Sequence, residues 1–145
     1  MRGVVQRGAR AEERVAGRAV GSIGPGMLVF VGIGDGDTTE QADRLAGKLS
    51  RLRIFEDDEG RMNRSVLDIG GEVLVVSQFT LLADTSRGNR PSFIAAAAPD
   101  LAEPLVERVA AGLRAARLRV AMGEFGAHME VDLVNDGPVT IVLEL

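Results

Sequence analysis

The strongest constraint on the fold is a series of short apolar runs, rich in valine, isoleucine and leucine, that glycine, proline and polar residues interrupt. The clearest of these runs are 27–33, 72–76, 129–134 and 139–143. Runs of this length, ended by turn-forming residues, are typical of strands in a well-covered sheet. A further short run, Val4–Gln6, has the same character near the start of the chain. The sequence therefore predicts a β-sheet at the centre of the fold, with a hairpin formed by its first strands.

Two segments between these runs have helical periodicity instead. Apolar residues recur at spacings of three and four from Ala42 to Leu52, after a candidate cap at Asp37 or Thr38. A second helix is predicted after Pro99-Asp100, with Pro104 in its first turn, where a missing N–H costs little. The apolar residues expected to share one face of this second helix are Leu101, Leu105, Val109 and Leu113.

The order of these elements is strands, helix, strands, helix, strands. This order predicts an α/β fold with a mixed or mostly antiparallel, barrel-like sheet and two main helices. A chain of 145 residues is large enough to bury its own core, and no linker or repeat divides it. We therefore expect a single domain over residues 1–145.

Composition excludes several classes of function. The net charge of −4 argues against a broad nucleic-acid-binding face, so any RNA contact is expected to be local. No apolar run approaches the length of a membrane span, and the start Met1–Arg7 lacks the long apolar segment of a signal peptide, so we expect a cytoplasmic protein without a membrane partner. With no cysteine and one histidine, disulfides, a thiolate nucleophile and a zinc site are disfavoured. We expect no metal and no cofactor.

Two polar stretches, Ser77–Leu81 and Asn135–Thr140, stand at the ends of predicted strands, where side chains can reach a ligand. If the first strand continues through its stretch, alternation places Gln78 and Thr80 on one face, and Ser77 and Phe79 on the other. Within the second stretch, Gly137–Pro138 alone indicates a turn between two strands.

Few residues offer side-chain catalysis. Thr80 is the best-placed nucleophile or polariser, although no base stands beside it in the sequence, and strand-end hydroxyls commonly bond only to backbone. His128 is interpreted as a partly exposed polar position rather than a catalytic base. The acidic segment Asp57–Glu59 is interpreted as a charged turn rather than a magnesium site.

Taken together, these motifs resemble the D-aminoacyl-tRNA deacylase family, which carries a Ser-Gln-Phe-Thr motif and a Gly-Pro motif. The likeness extends over nearly the whole chain: the matching segments are Met1–Arg7, Ile54–Asp57, Met62–Val66, Gly71–Leu81, Arg90–Phe93 and Val134–Thr140. The chain departs from the family's usual sequence at His128 and in the segments 8–13 and 86–89.

The resemblance implies hydrolysis of the ester that joins a D-amino acid, or glycine, to the terminal adenosine of tRNA. It implies that Gln78, Phe79 and Thr80 form the catalytic segment, with backbone N–H groups near Phe79 and Thr80 stabilising the oxyanion and the ribose 2′-hydroxyl taking part. Ser77 is expected to contact substrate, and Phe125 to lie near the adenine, although a core role for this ring is an alternative.

The resemblance also implies a homodimer whose active sites lie at the subunit interface. In this family the Gly-Pro bond is cis and enters the partner's active site, so the carbonyls of Gly137 and Pro138 are expected to form a wall that rejects L-amino acids. Arg7 is expected to support this turn by hydrogen bonding to its carbonyls. Two other functions remain open: a non-enzymatic module that binds a small ligand at the same edge, and a threonine-dependent hydrolase of small esters.

Overall fold

The fold is organised around one long strand at the start of the chain. The computed structural model describes residues 1–145, which form eight strands and two helices. The strands are β1 (Arg2–Val15), β2 (Arg18–Ile23), β3 (Gly26–Gly32), β4 (Phe55–Glu56), β5 (Met62–Arg64), β6 (Glu72–Ser77), β7 (Arg119–Met122) and β8 (Met129–Glu144). The helices are α1 (Thr39–Arg51) and α2 (Pro99–Ala115).

β1 pairs with three other strands. Its residues 2–8 pair with β3 and its residues 11–15 with β2, while β8 pairs with β1 along its opposite edge; all three pairings are antiparallel. β6 continues the sheet beside β3, and β7 beside β6, both in parallel. The six strands form a mixed sheet that is nearly closed into a barrel, because β2 also lies near β6 and β7. The predicted α/β fold, with a barrel-like mixed sheet and two helices, is confirmed.

The hairpin at the start of the chain is formed by β1 and β2, a strand between the runs 4–6 and 27–33 that the sequence did not indicate. Its two turn residues, Ala16 and Gly17, have φ angles of 49° and 78°. Positive φ at both central residues is the requirement of a type I′ turn, which matches the twist of the strands it joins. The strand predicted at Val4–Gln6 continues to Val15, so β1 is longer than its short apolar run indicates.

β3 and β6 are covered on both faces, which explains their uninterrupted apolar sequences. Alternate residues, among them Val29 and Val75, belong to the core that α1 and α2 cover. The residues between them, among them Leu28 and Leu74, pack with β1 and β2 inside the barrel. A strand that is buried on both sides does not alternate between apolar and polar residues.

α1 begins and packs as predicted. Thr38 is its N-cap, and the Gln41 Oε1 accepts a hydrogen bond of 2.7 Å from the Thr38 backbone N–H. The residues of its apolar face, including Ala42, Leu45 and Leu49, are buried against the sheet.

Two details of α2 differ from the prediction. Leu105, Val109 and Leu113 are buried, but Leu101 is 58% exposed, because it lies at a surface depression beside residues 34–39. The helix begins at Pro99, so Pro104 stands in the second turn and not in the first. Neither helix is both long enough and apolar enough to cross a bilayer.

The two closing strands predicted around Gly137–Pro138 form one strand. Both halves of β8 pair with β1: Thr140 lies opposite Gln6, and Asn135 lies opposite Gly8. The intervening residues 136–139 bulge out of the ladder beside Arg7. The prediction of a turn is wrong because β1 is long enough to pair with both halves in one direction, so the chain does not reverse.

Candidate active site

A largely apolar cavity of about 540 Å³ opens where β6 ends. Its wall is formed by the end of β6 and the residues after it, by the segment that leads into α2, and by the residues from Phe125 into β8. The wall residues are Ile33, Val76, Ser77, Gln78, Phe79, Phe93, Ala96, Ala97, Pro99, Ala102, Phe125, Gly126, Ala127, His128, Met129 and Val131. The cavity has the size and the character of a small-molecule or nucleoside pocket.

Four of the predicted site residues line this cavity: Ser77, Gln78, Phe79 and Phe125. The expected alternation does not hold, because β6 ends at Ser77 and a 3₁₀ turn, Phe79–Leu82, follows it. As a result Ser77, Gln78 and Phe79 all face the cavity. The tighter winding of a 3₁₀ turn replaces the two-residue period of a strand.

Thr80 is exposed and stands next to the cavity wall, not in it. Its hydroxyl accepts a hydrogen bond from the Gln78 side-chain amide. No carboxylate or imidazole bonds to this hydroxyl, so nothing in the chain is placed to remove its proton. The arrangement therefore offers a polar hydroxyl and amide pair, without the base that an activated nucleophile requires.

The backbone at this turn presents unpaired donors. The Gln78 N–H donates to the Val31 carbonyl at 2.8 Å, and the Leu81 N–H donates to the Gln78 carbonyl at 3.2 Å. Between them, the N–H groups of Phe79 and Thr80 donate to no group in the chain. The first N–H groups of a helical turn have no partner within it, so these two are free to bind an acceptor on a ligand.

Aromatic rings surround the same point. The Phe79 side chain is 53% exposed, and its ring packs edge-to-face on the Phe93 ring with their centroids 5.1 Å apart. Phe125 also lines the cavity and is half-buried. Sequence reasoning assigned no role to Phe93 or Met129. Phe93 lies outside the predicted strands and helices, and Met129 begins the run 129–134, at its end away from the polar stretch Asn135–Thr140.

His128 lies where its exposure was expected, at the cavity rim, and pairs with no carboxylate. The acidic segment Asp57–Glu59 is a turn, as predicted. The Asp57 carboxylate accepts from the Arg61 N–H at 3.0 Å and the Glu59 N–H at 2.9 Å, and these bonds, chiefly that of Arg61, lower the pKa of Asp57.

Gly137 and Pro138 lie apart from this cavity. Both are exposed at the bulge of β8, and neither lines the cavity wall of its own chain. The chain has no cis peptide bond, so the Gly137–Pro138 bond is trans and the expected cis form is absent. Gly137 has φ of 106°, in the left-handed region that favours glycine.

Arg7 holds this bulge from beneath. Its side chain is buried, and its Nε donates to the Asp136 carbonyl at 2.9 Å while its Nη1 donates to the Ile54 carbonyl at 2.8 Å. The carbonyl it binds belongs to the residue before Gly137, and not to the Gly-Pro pair itself. A side chain at position 137 would overlap the Arg7 guanidinium, so only glycine fits there.

The sequence matches one protein family along almost its entire length. A sequence model of the family described as D-Tyr-tRNA(Tyr) deacylase matches residues 4–144. The D-aminoacyl-tRNA deacylase of Roseiflexus castenholzii is 59% identical over 144 residues, which are 99% of this chain and 92% of that protein. The protein of the same name from Deinococcus radiodurans is 57% identical over 145 residues, the full length of both chains.

Solved structures have the same fold. The structure of a c-Myc DNA unwinding element binding protein superposes with a TM-score of 0.93 at 40% identity, covering 100% of this chain and 99% of that one. A probable eukaryotic D-amino acid tRNA deacylase superposes with a TM-score of 0.84 over 99% of this chain and 98% of its own. At 21% identity, this second likeness concerns the fold alone.

Proposed function

Because the chain belongs to the D-aminoacyl-tRNA deacylase family of ester hydrolases, we propose that it hydrolyses the ester between a D-amino acid and the terminal adenosine of tRNA. The products are a free D-amino acid and tRNA. The observation that carries this proposal is the pair of free N–H groups at Phe79 and Thr80, which stand at the edge of a cavity of nucleoside size. A cytoplasmic location follows from this substrate and is part of the proposal.

The reaction begins when a water molecule attacks the ester carbonyl carbon. The N–H groups of Phe79 and Thr80 bind the oxygen that becomes negatively charged, and the bond to the ribose 3′-oxygen then breaks. One fixed donor of this kind is typically worth about 10²–10³ in rate. The neighbouring ribose 2′-hydroxyl, in place of a protein base, passes the proton that the attacking water loses to the departing 3′-oxygen, which agrees with the absence of any base bonded to Thr80.

The apolar cavity accommodates the adenosine end of the tRNA. Phe125 offers a ring face on which the adenine stacks, and Met129 extends the same wall. Ser77 and Gln78 provide polar contacts to the ribose and the aminoacyl group. The net charge of −4 restricts phosphate contacts to this acceptor end.

Exclusion of L-amino acids is assigned to the backbone of Gly137 and Pro138 from a second copy of the chain. When the ammonium and the carbonyl of the substrate are pinned, a change of chirality exchanges the positions of Cα–H and Cβ, so a rigid backbone wall rejects one hand. The proposed wall depends on the positions of the Gly137 and Pro138 carbonyl oxygens and not on a cis bond, because the Gly137–Pro138 bond is trans in this chain. Glycine has no Cβ, so glycyl-tRNA is also a substrate.

The dimer is required by this arrangement, since Gly137 and Pro138 do not line the cavity of their own chain. Their exposure at the tip of the bulge leaves them free to contact a second copy. Sedimentation at micromolar concentration is expected to give a dimer. A fully active monomer would remove the shared site while leaving the hydrolysis itself intact.

A substrate comparison tests the proposed reaction against the two alternatives. The protein is incubated with a D-aminoacyl-tRNA and with the free methyl ester of the same D-amino acid. We expect rapid loss of the tRNA ester and no acceleration for the methyl ester. Hydrolysis of both esters would indicate a small-ester hydrolase, and hydrolysis of neither would indicate a binding module.

A further inference from the structure

Glu13 is a buried carboxyl group without a partner. It lies on β1, opposite Gly21 of β2 and Val131 of β8, and its side chain is fully buried. No donor in the chain hydrogen-bonds to either of its carboxyl oxygens. Buried polar groups in native proteins are nearly always bonded, so such a group indicates a bound water, a ligand or a functional role.

The Glu13 carboxyl lies directly against the segment Met122–Phe125, which runs from β7 into the cavity wall. A Cβ at position 123 would overlap both carboxyl oxygens, so only glycine allows this contact. The carboxyl and the backbone of this segment are therefore packed against one another, and a change in one is felt by the other.

A small recess joins this carboxyl to the main cavity. It has a volume of about 20 Å³, which is enough for one water molecule. Three of its wall residues, Ser77, Phe125 and Met129, also line the main cavity. Glu13 and Ser77 are the wall residues that can offer a carboxyl and a hydroxyl group to a water molecule there.

The recess offers no cation to balance a charge on Glu13. Glu124, from the segment packed against it, is the only other ionisable residue in the wall. Neighbouring Glu12 and Arg14 pair with each other, and Arg14 pairs with Asp132 of β8. The remaining wall residues, from β6, α2, the end of β7 and the chain into β8, are Val75, Ser77, Val106, Met122, Gly123, Phe125 and Met129. Burial raises the pKa of the Glu13 carboxyl from 4.5 to about 7.

We propose that Glu13 is a positioning residue for the cavity: as a neutral acid it holds the Met122–Phe125 segment in place and bonds through one water molecule to the Ser77 hydroxyl. When Glu13 loses its proton, the charge has no partner in the recess, and the segment moves away from β1 to admit solvent. The Phe125 ring and the Ser77 hydroxyl then leave their positions in the cavity wall. The consequence for substrate rests on the proposed function: binding of D-aminoacyl-tRNA weakens as the pH rises.

Nuclear magnetic resonance tests this without any substrate. In protein with ¹³C-labelled glutamate, we expect the Glu13 carboxyl carbon to titrate with a midpoint near 7. The backbone amides of Gly123 and Phe125 are expected to shift with the same midpoint. Glu13→Gln abolishes this response, whereas Glu12→Gln, a half-exposed neighbour, retains it. Amides that ignore the Glu13 titration in the wild-type protein, or that still respond in Glu13→Gln, would overturn the proposal.

A kinetic measurement then tests the link to substrate. Between about pH 6 and about pH 8.5, the KM of the wild-type protein for D-aminoacyl-tRNA is expected to rise severalfold relative to that of Glu13→Gln, with the ratio of their kcat values constant. Parallel KM profiles would overturn the positioning role. A wild-type protein that hydrolyses no D-aminoacyl-tRNA refutes the proposed function instead, and the amide titration still decides the role of Glu13.

Discussion

At the scale of single residues, the candidate site separates backbone from side-chain chemistry. The Thr80 hydroxyl is bonded to the Gln78 amide, whereas the N–H groups of Phe79 and Thr80 are free. The motif could be found from the sequence because a polar stretch follows an apolar strand. The groups proposed to bind the oxyanion could not be found in this way, because every residue except proline carries a backbone N–H. Only the 3₁₀ turn leaves the N–H groups of Phe79 and Thr80 without partners.

Substitutions at position 79 isolate one backbone donor. Proline is favoured in the first position of a helical turn and removes the N–H, while alanine removes the ring and keeps the N–H. We expect Phe79→Pro to be slower than Phe79→Ala by about 10²–10³ in single-turnover hydrolysis of D-aminoacyl-tRNA. Thr80→Ala, which keeps its N–H, is expected to remain active. Equal rates for the two position-79 variants, or a loss above about 10⁴ in Thr80→Ala, would indicate side-chain catalysis.

Glycine is required at position 137 by its positive φ and by its contact with Arg7, and a substitution at Gly60, which has a positive φ alone, separates the two effects. Gly60→Ala places alanine at φ of 76° with no atom nearby, and should lower the free energy of unfolding by about 1 kcal/mol. Gly137→Ala adds an overlap with Arg7, whose hydrogen bonds to Asp136 and Ile54 must then break. We expect it to cost at least about 1 kcal/mol more in urea denaturation. Equal losses would mean that Arg7 does not hold the bulge.

At the scale of elements, local patterns predict helices better than the long strands. α1 follows from its cap and its spacing of apolar residues, both of which are local. β8 could not be predicted as one strand, because Asn-Asp-Gly-Pro has the letters of a turn and only the distant β1 pairs with both halves. For the same reason the length of β1 could not be predicted, because its second half carries charged residues, of which only Glu13 is fully buried.

Two glycines test how the helices pack. A Cβ at Gly112 of α2 would lie 2.7 Å from the Ala46 Cβ of α1, and neither group can move aside. A Cβ at Gly47 of α1 would meet only the flexible end of Arg51, at 3.3 Å. In thermal or urea unfolding, Gly47→Ala should therefore stabilise the protein by up to about 1 kcal/mol through helix propensity. Gly112→Ala should destabilise it, because overpacking outweighs that gain. A stabilising Gly112→Ala would contradict the close helix contact.

At the scale of the whole molecule, stability depends on a group that the sequence does not mark. Glu13 lies in a stretch of charged residues that indicates a solvent-exposed surface, yet the nearly closed barrel buries it. Burial is a property of the closed sheet, and no local pattern around Glu13 predicts it. The cavity wall depends on the same closure, since it combines residues from β6, the chain before α2 and β8.

This burial makes the stability of the protein depend on pH. Below the ordinary pKa of 4.5, Glu13 is protonated in the folded and unfolded states alike. Between pH 4.5 and about 7 only the unfolded state releases the proton, so the free energy of unfolding falls as the pH rises. Relative to Glu13→Gln, the wild-type protein should lose about 3 kcal/mol across this range and no more above it. Urea denaturation at a series of pH values measures the difference, and parallel curves would contradict it.

The central claim is the selective removal of D-amino acids from tRNA, and one measurement tests it most directly. The same tRNA is charged with the D and with the L form of one amino acid, and the ester remaining is followed under single-turnover conditions with the protein in excess. The account predicts that the D-ester disappears at an enzymatic rate while the L-ester decays at its rate without protein. Equal loss of the two esters, or no loss of the D-ester beyond its spontaneous rate, would contradict it.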